Sequence, residues 1–167
     1  MVNLTSANEH IPKIEQRIRV LKERYSATSH SLPLMRLPVI LTINMVLNNV
    51  NLLVYFPTTA GNLTAISPRA IITGETLNYK SHLAITFGQY FHIYEEDIHR
   101  NSKGPCTRVA ICMVSEGNKQ GGLKFMTLGS MKNVVRRSWY EIPMPDTLIA
   151  RVNALSQGQL NDLDFLD

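Results

Sequence analysis

The sequence predicts an α+β protein in two parts, a helical segment to about residue 82 and then a small antiparallel β-barrel that ends near Pro145. Three observations predict it. Apolar residues recur at helical spacing in the first part. They gather into short aromatic and β-branched runs in the second, and glycine-rich turns separate those runs.

Pro12 can open a helix at its first position, where its missing N–H costs nothing. Ile14, Ile18, Leu21 and Tyr25 then share one face, while Lys13, Glu15, Arg17, Arg19, Lys22, Glu23 and Arg24 fill the others. An amphipathic helix with a basic outer face is expected from Pro12 to about Thr28. Glu15 and Arg19 stand at i,i+4, in the order that favours a surface ion pair. Leu32 to Pro38 reads as a turn bounded by prolines. Val39 to Phe56 is the most apolar run, and its length approaches that of a membrane span. Asn44, Asn48 and Asn51 recur along it with Asn49 beside them, and four amides facing lipid would be costly. A buried helix with an asparagine stripe is therefore expected. Pro57 ends it. Ser67-Pro68 reads as an N-cap and first-position proline of a short helix closed at Gly74, with a polar connector from Thr76 to His82.

The strand-like runs are Phe87–Tyr94, Val109–Val114, Leu123–Leu128 and Val134–Tyr140. Ser102 to Pro105, Gly117-Asn118 with Gly121-Gly122, and Gly129-Ser130 supply the turns, which together suggest a barrel. Pro143 and Pro145 end it. A short helix is expected from Asp146 to Ala154, and the acidic stretch after it reads as disordered.

Composition narrows the function classes. No basic start, apolar centre and small-residue cleavage site open the chain, so no secretion signal is expected. Two cysteines do not make a disulfide framework and read as free thiols of a reducing compartment. Met1 to Tyr140 carries 16 Lys/Arg against 8 Asp/Glu, and Glu141 to Asp167 carries 1 against 5. A basic body is the footprint of a polyanion binder, though ordinary solubility charge has the same sign.

Little local chemistry stands out. His92, His99, Cys106 and Cys112 resemble a zinc set at a glance, but five residues separate the cysteines where two to four are usual. No phosphate-loop, dinucleotide or nucleophile-elbow pattern is present. Glu95, Glu96 and Asp97 are adjacent, point alternately and read as solvated. Glu15, by spacing alone, is a helix-start glutamate favoured by the macrodipole. Lys124, Lys132, Arg136 and Arg137 make the later strands basic, and on a strand Arg136 and Arg137 face opposite sides. Trp139 and Tyr140 could stack on bases or simply pack.

A resemblance ties these pieces together. The segment Asn8-Glu9-His10-Ile11-Pro12-Lys13-Ile14-Glu15-Gln16-Arg17 resembles the stretch around the last catalytic glutamate of copia-type retrotransposon integrases. Downstream, Tyr55-Phe56-Pro57 ends a long apolar helix. Ser67-Pro68-Arg69-Ala70-Ile71-Ile72-Thr73-Gly74 looks like the family's S/T-P-x-x-x-x-T-G signature. Phe87-Gly88 looks like the start of its β module, and Arg136-Arg137-Ser138-Trp139 like the closing strand. The tail, through Arg151-Val152-Asn153, resembles the start of an acidic linker.

The resemblance implies that residues 1–82 are the helical C-terminal part of an RNase H-like catalytic core. Residues 83–145 would be a Src-homology-3-like barrel and 146–167 the linker or tail. It implies a polynucleotidyl transferase in which three carboxylates hold two Mg²⁺ or Mn²⁺ ions. Glu15 alone matches that triad, and the two aspartates would lie upstream of Met1, so this chain alone is not expected to catalyse. Its partner would be DNA, both retroelement ends and target, contacted by Lys13, Arg17, Lys22, Arg24, Lys124, Lys132, Arg136 and Arg137. No membrane is implied, and the location would be the nucleus or a cytoplasmic retroelement particle. Half a core would also leave helix faces exposed, open to self-association. Two other readings stay open: a non-catalytic nucleic-acid-binding module and a protein-interaction piece.

Overall fold

A computed structural model describes residues 12–56, 66–76, 78–95, 106–118 and 120–163. The helices are α1 (Pro12–Ser31), α2 (Val39–Tyr55), α3 (Pro68–Thr73), α4 (Tyr79–His82) and α5 (Asp146–Leu163). The strands are β1 (Tyr90–Tyr94), β2 (Thr107–Ser115), β3 (Leu123–Thr127), β4 (Asn133–Arg136) and β5 (Trp139–Glu141). They form one antiparallel sheet in the order β4-β3-β2-β1-β5. The chain is α+β, and among the described residues no helix is long and apolar enough to cross a membrane.

Local signals set the helix boundaries. Ser67 accepts from the Ala70 amide at 3.2 Å, Pro68 takes the first position, and Gly74 closes α3 at φ 70°, where a side chain would be strained. The expected polar connector tightens into α4, because the Asn78 carbonyl oxygen of the side chain accepts from the Lys80 amide at 3.1 Å. The tail differs from expectation: helix continues to Leu163 instead of stopping near Ala154. Residues 164–167 lie outside those described.

The sheet curls. β4 ends at Arg136 and β5 begins at Trp139, yet they occupy opposite edges. Four interstrand spacings would hold flat edges roughly 19 Å apart, whereas three Cα–Cα steps reach only about 11 Å. The edges must therefore approach each other, helped by a register shift between Cys112 and Val114. Near the junction the Tyr94 amide donates to Ser138 O at 3.2 Å, and Arg136 Nε donates to Tyr94 O at 3.1 Å. The described ladders do not pair β4 with β5, so the expected barrel is a curled open sheet, and the expected run Val134–Tyr140 is two strands.

Both sheet faces are buried. Phe91, Ile93, Ala110, Cys112, Leu123 and Phe125 fill the concave side, with Val134 and Trp139 packed on them. The Phe125 ring lies 5.8 Å from those of both Phe91 and Trp139. On the other side Tyr90, Ile111, Met113, Met126 and Leu128 meet Leu41 and Met45 of α2, Leu34, Phe87, and Val152 of α5. Ala110 to Val114 is consequently buried without a break, which is why VAICMV reads as a continuous apolar run rather than an alternating one.

The asparagine stripe of α2 turns partly inward. Asn44 Nδ2 donates to Ile40 O at 2.7 Å. The Thr28 hydroxyl lies 2.9 Å from Arg24 O and 3.2 Å from Asn49 Oδ1, tying α1 to α2. Asn49 Nδ2 is the one buried side-chain polar atom left unpaired among the described residues. From α5, Asn153 Oδ1 accepts from the Met35 and Arg36 amides, each at 3.1 Å, and so fixes the turn between α1 and α2.

Leu41 is fully buried and Met35 is 93% exposed. Leu41→Ala is expected to cost about 2–5 kcal/mol of unfolding free energy, and Met35→Ala no more than about 0.5 kcal/mol. Urea titration followed by circular dichroism checks the difference.

Candidate functional site

Glu15 lies in the first turns of α1 and is exposed, as are all residues from Ile14 to Arg19. This end of the helix projects from the body. Arg17, Lys22 and Arg24 are exposed along it, and Arg19 pairs with Glu23 at 2.9 Å. Lys13 sits in the first turn with its side chain outside the described residues, as is the approach from Asn8 to Ile11. The cations of α1 are exposed as expected, but Ile14 and Ile18 of the expected apolar stripe are exposed as well, at 53% and 48%, so this end of α1 does not divide into an inner and an outer face.

The basic residues of the sheet divide differently. Lys124 Nζ stands 3.6 Å from Glu116. Arg136 is half-buried, and its guanidinium donates to Tyr94 O and to Val135 O at 2.8 Å. It shares the face of its cross-strand partner Leu123, so it ties β4 to the end of β1 rather than standing out from the sheet. Arg137 is exposed and donates to Gln120 Oε1, and Lys132 is exposed in the turn between β3 and β4. Arg137 and Lys132 are therefore the cations of this region best placed to meet a phosphate.

Sequence reasoning missed two arginines. Arg108, at the start of β2, pairs with Glu95, which accounts for one of the three adjacent acids; Glu96 and Asp97 lie outside the described residues. Arg69 in α3 lies over the Tyr55 ring, 5.5 Å from its centroid, and donates to Gly117 O. Burial raises the Tyr55 phenol above its ordinary pKa, and the Arg69 charge offsets part of that rise. Gly117 sits at φ 66°, and a Cβ there would come within 2.9 Å of both the Tyr55 hydroxyl and an Arg69 nitrogen. The S-P-x-x-x-x-T-G segment is thus pinned to the turn between β2 and β3. Only the glycine of that turn was visible in the sequence; nothing local signals its partner in α3.

A cavity of about 330 Å³ opens between α2 and the sheet, lined in part by Thr28, Asn48, Leu52, Tyr55, Thr86 and Cys112. Hydroxyls, an amide, a thiol and apolar groups line it, with no charged side chain among the described residues. Cys112 is buried in the sheet and Cys106 is exposed, so the two cysteines differ sharply in surroundings. His92 lies edge-on to Tyr90, and His99 falls outside the described residues. No three His, Cys, Asp or Glu side chains gather where they could share a metal ion among the described residues. Glu15 alone does not fit a site for two Mg²⁺ or Mn²⁺ ions, because such ions need several charged oxygens.

No family model, curated protein or solved structure matches this chain.

Burial pushes the Cys112 thiol up to about 12, which leaves roughly one thiolate in 10⁴ at pH 8. Titration of the native protein with a disulfide reagent at that pH is expected to modify Cys106 quickly and Cys112 only after denaturation. Gly117→Ala is expected to cost about 1–3 kcal/mol, from left-handed strain plus displacement of Arg69, measurable by thermal denaturation.

Proposed function

We propose that this chain is the C-terminal part of a copia-type retrotransposon integrase that retains a DNA-binding surface and does not catalyse by itself. In this reading α1 to α4 close an RNase H-like core and the curled sheet is its Src-homology-3-like module. The supporting observation is that the motifs behind the resemblance fall where the backbone needs them. Ser67 and Gly74 cap the two ends of α3. Gly88 holds φ 85° ahead of β1, where a Cβ would collide with the Leu32 side chain. Arg136 to Trp139 makes the short link that curls the sheet.

The chemistry follows from what is present. Arg17, Lys22 and Arg24 on α1, with Lys132 and Arg137 on the sheet, offer exposed cations to a phosphate backbone. Such contacts position a duplex and carry little sequence information. Glu15 would complete a two-ion site only beside two further carboxylates, and Mg²⁺ or Mn²⁺ would then stabilise the attacking and leaving oxygens. Without them the chain binds and does not cut. A non-catalytic nucleic-acid-binding module would share the first property and lack the second role for Glu15.

Fluorescence anisotropy with a short labelled duplex tests the binding. Affinity is expected to fall roughly tenfold to a hundredfold between about 50 and 200 mM salt. Lys132→Ala/Arg137→Ala is expected to flatten the salt slope by about two. Salt-insensitive or absent binding at low salt would sink the proposal. Strand transfer by this chain with Mn²⁺, abolished by Glu15→Gln, would show that the claim of inactivity is wrong.

A further inference from the structure

The helical cover of the convex face stops short of one end of the sheet. Tyr90, His92 and Tyr94 alternate onto that face along β1. Tyr90 is 6% accessible, within the core shared with the helices, whereas Tyr94 is 48% accessible. On the neighbouring strand Tyr140 stands directly opposite His92 and is 66% accessible. Trp139, one residue earlier, turns to the concave side and packs on Phe125. The adjacent rings of Trp139 and Tyr140 therefore divide: one serves the core, and the other meets solvent near a second exposed tyrosine.

The surroundings of these rings say what suits them. Val109 and Thr107 continue the two rows onto β2, opposite His92 and Tyr94, and none of these five positions carries a carboxylate. Glu141 lies opposite Phe91, on the other face, and Glu95 is held by Arg108. Two arginines border Tyr94. Arg136 donates to its carbonyl oxygen, and the exposed Arg137 adjoins Ser138, whose carbonyl oxygen accepts from the Tyr94 amide. A recess of about 370 Å³ shares Thr107 and Val109 with this face and adds the hydroxyls of Thr127 and Ser130. Aromatic rings suit bases, while cations and hydroxyls suit a sugar–phosphate chain. A duplex hides the faces of its bases in its own stack, so this surface fits bases that are unpaired. An acidic peptide would use the arginines and leave the rings without a role.

We propose that Tyr94 and Tyr140, with His92 beside them, form a stacking platform for the unpaired bases of a single-stranded nucleic acid. The inference deepens the nucleic-acid part of the proposed function and does not need the integrase identity. Phosphate contacts from Arg137 hold the strand, and the rings add a term that depends on the bases. Stacking is tolerant of sequence, because every base has a face to offer.

Fluorescence anisotropy of the full chain at about 50 mM salt compares labelled probes of about twelve units: oligothymidylate, an abasic strand of equal charge, and a duplex. Oligothymidylate is expected to bind at least about tenfold more tightly than the abasic strand. Oligouridylate, which separates RNA from DNA as the source, is expected within about threefold of oligothymidylate, since stacking does not involve the sugar. Tyr140→Ala and Tyr94→Ala are each expected to weaken oligothymidylate binding at least about fivefold while leaving the abasic strand and the duplex unchanged. Tyr140→Trp, which keeps a ring, is expected to retain the affinity. Equal affinity for the abasic strand and oligothymidylate, a loss in Tyr140→Ala that is the same for every probe, or competition by polyglutamate as effective as by unlabelled oligothymidylate would overturn the proposal. Duplex binding that persists in that case leaves the proposed function standing. Tyrosine-dependent binding of oligothymidylate without duplex binding would remove that function and keep the platform.

Discussion

A sheet that is buried on both faces must be covered on both faces, and the rest of this structure follows from that demand. The concave side is filled from within, by Phe91, Phe125 and Trp139, because the sheet curls. The convex side cannot cover itself. Ile111, Met113 and Met126 there need apolar surface from elsewhere, and α2 and α5 bring Leu41, Met45 and Val152. The helical first part, the sheet and the tail thereby share one core, and the α1–α2 turn, held by Asn153, is part of the same arrangement.

Much of this was legible because its causes are local. Ser67, Pro68 and Gly74 determine both ends of α3 through a side-chain acceptor, a missing donor and a positive φ, all readable within eight residues. The run from Val109 to Val114 was legible as a strand from its β-branched and apolar residues, while the cover on both its faces is visible only in the structure. The misses have long-range causes. Val134 to Tyr140 looks like one strand, yet the chain must leave one edge of the sheet and join the other within it, a demand that appears only when the strand order is known. The tail reads as acidic and loose after Ala154, but Val152 is anchored in the core, and the helix built around that anchor continues to Leu163.

The candidate site was legible in composition and less so in assignment. The cations of α1 are exposed, as helical spacing suggests, although Ile14 and Ile18 beside them are exposed too. For the sheet, charge alone could not separate cations with structural work from cations facing solvent. Arg136 and Arg137 are neighbours in sequence, yet one bridges two strand ends while the other lies exposed beside Gln120. Lys124 is matched by Glu116 across a turn, and Arg108 by Glu95 across a ladder. Such pairings depend on register, which no window of sequence contains. Arg69 is the clearest case: its place in the S-P-x-x-x-x-T-G segment suggested no role, while its guanidinium spans Tyr55 and Gly117.

The anchoring of α5 has a consequence for how the chain is made. The last strand ends at Glu141, about ten residues before Val152, a delay on the order of 0.5–2 s at ordinary rates of synthesis. Through that interval the convex face of the sheet has only one of its two helical covers. A nascent chain that pauses between Pro145 and Asn153 would present methionines and isoleucines to chaperones and to its neighbours on the same messenger RNA.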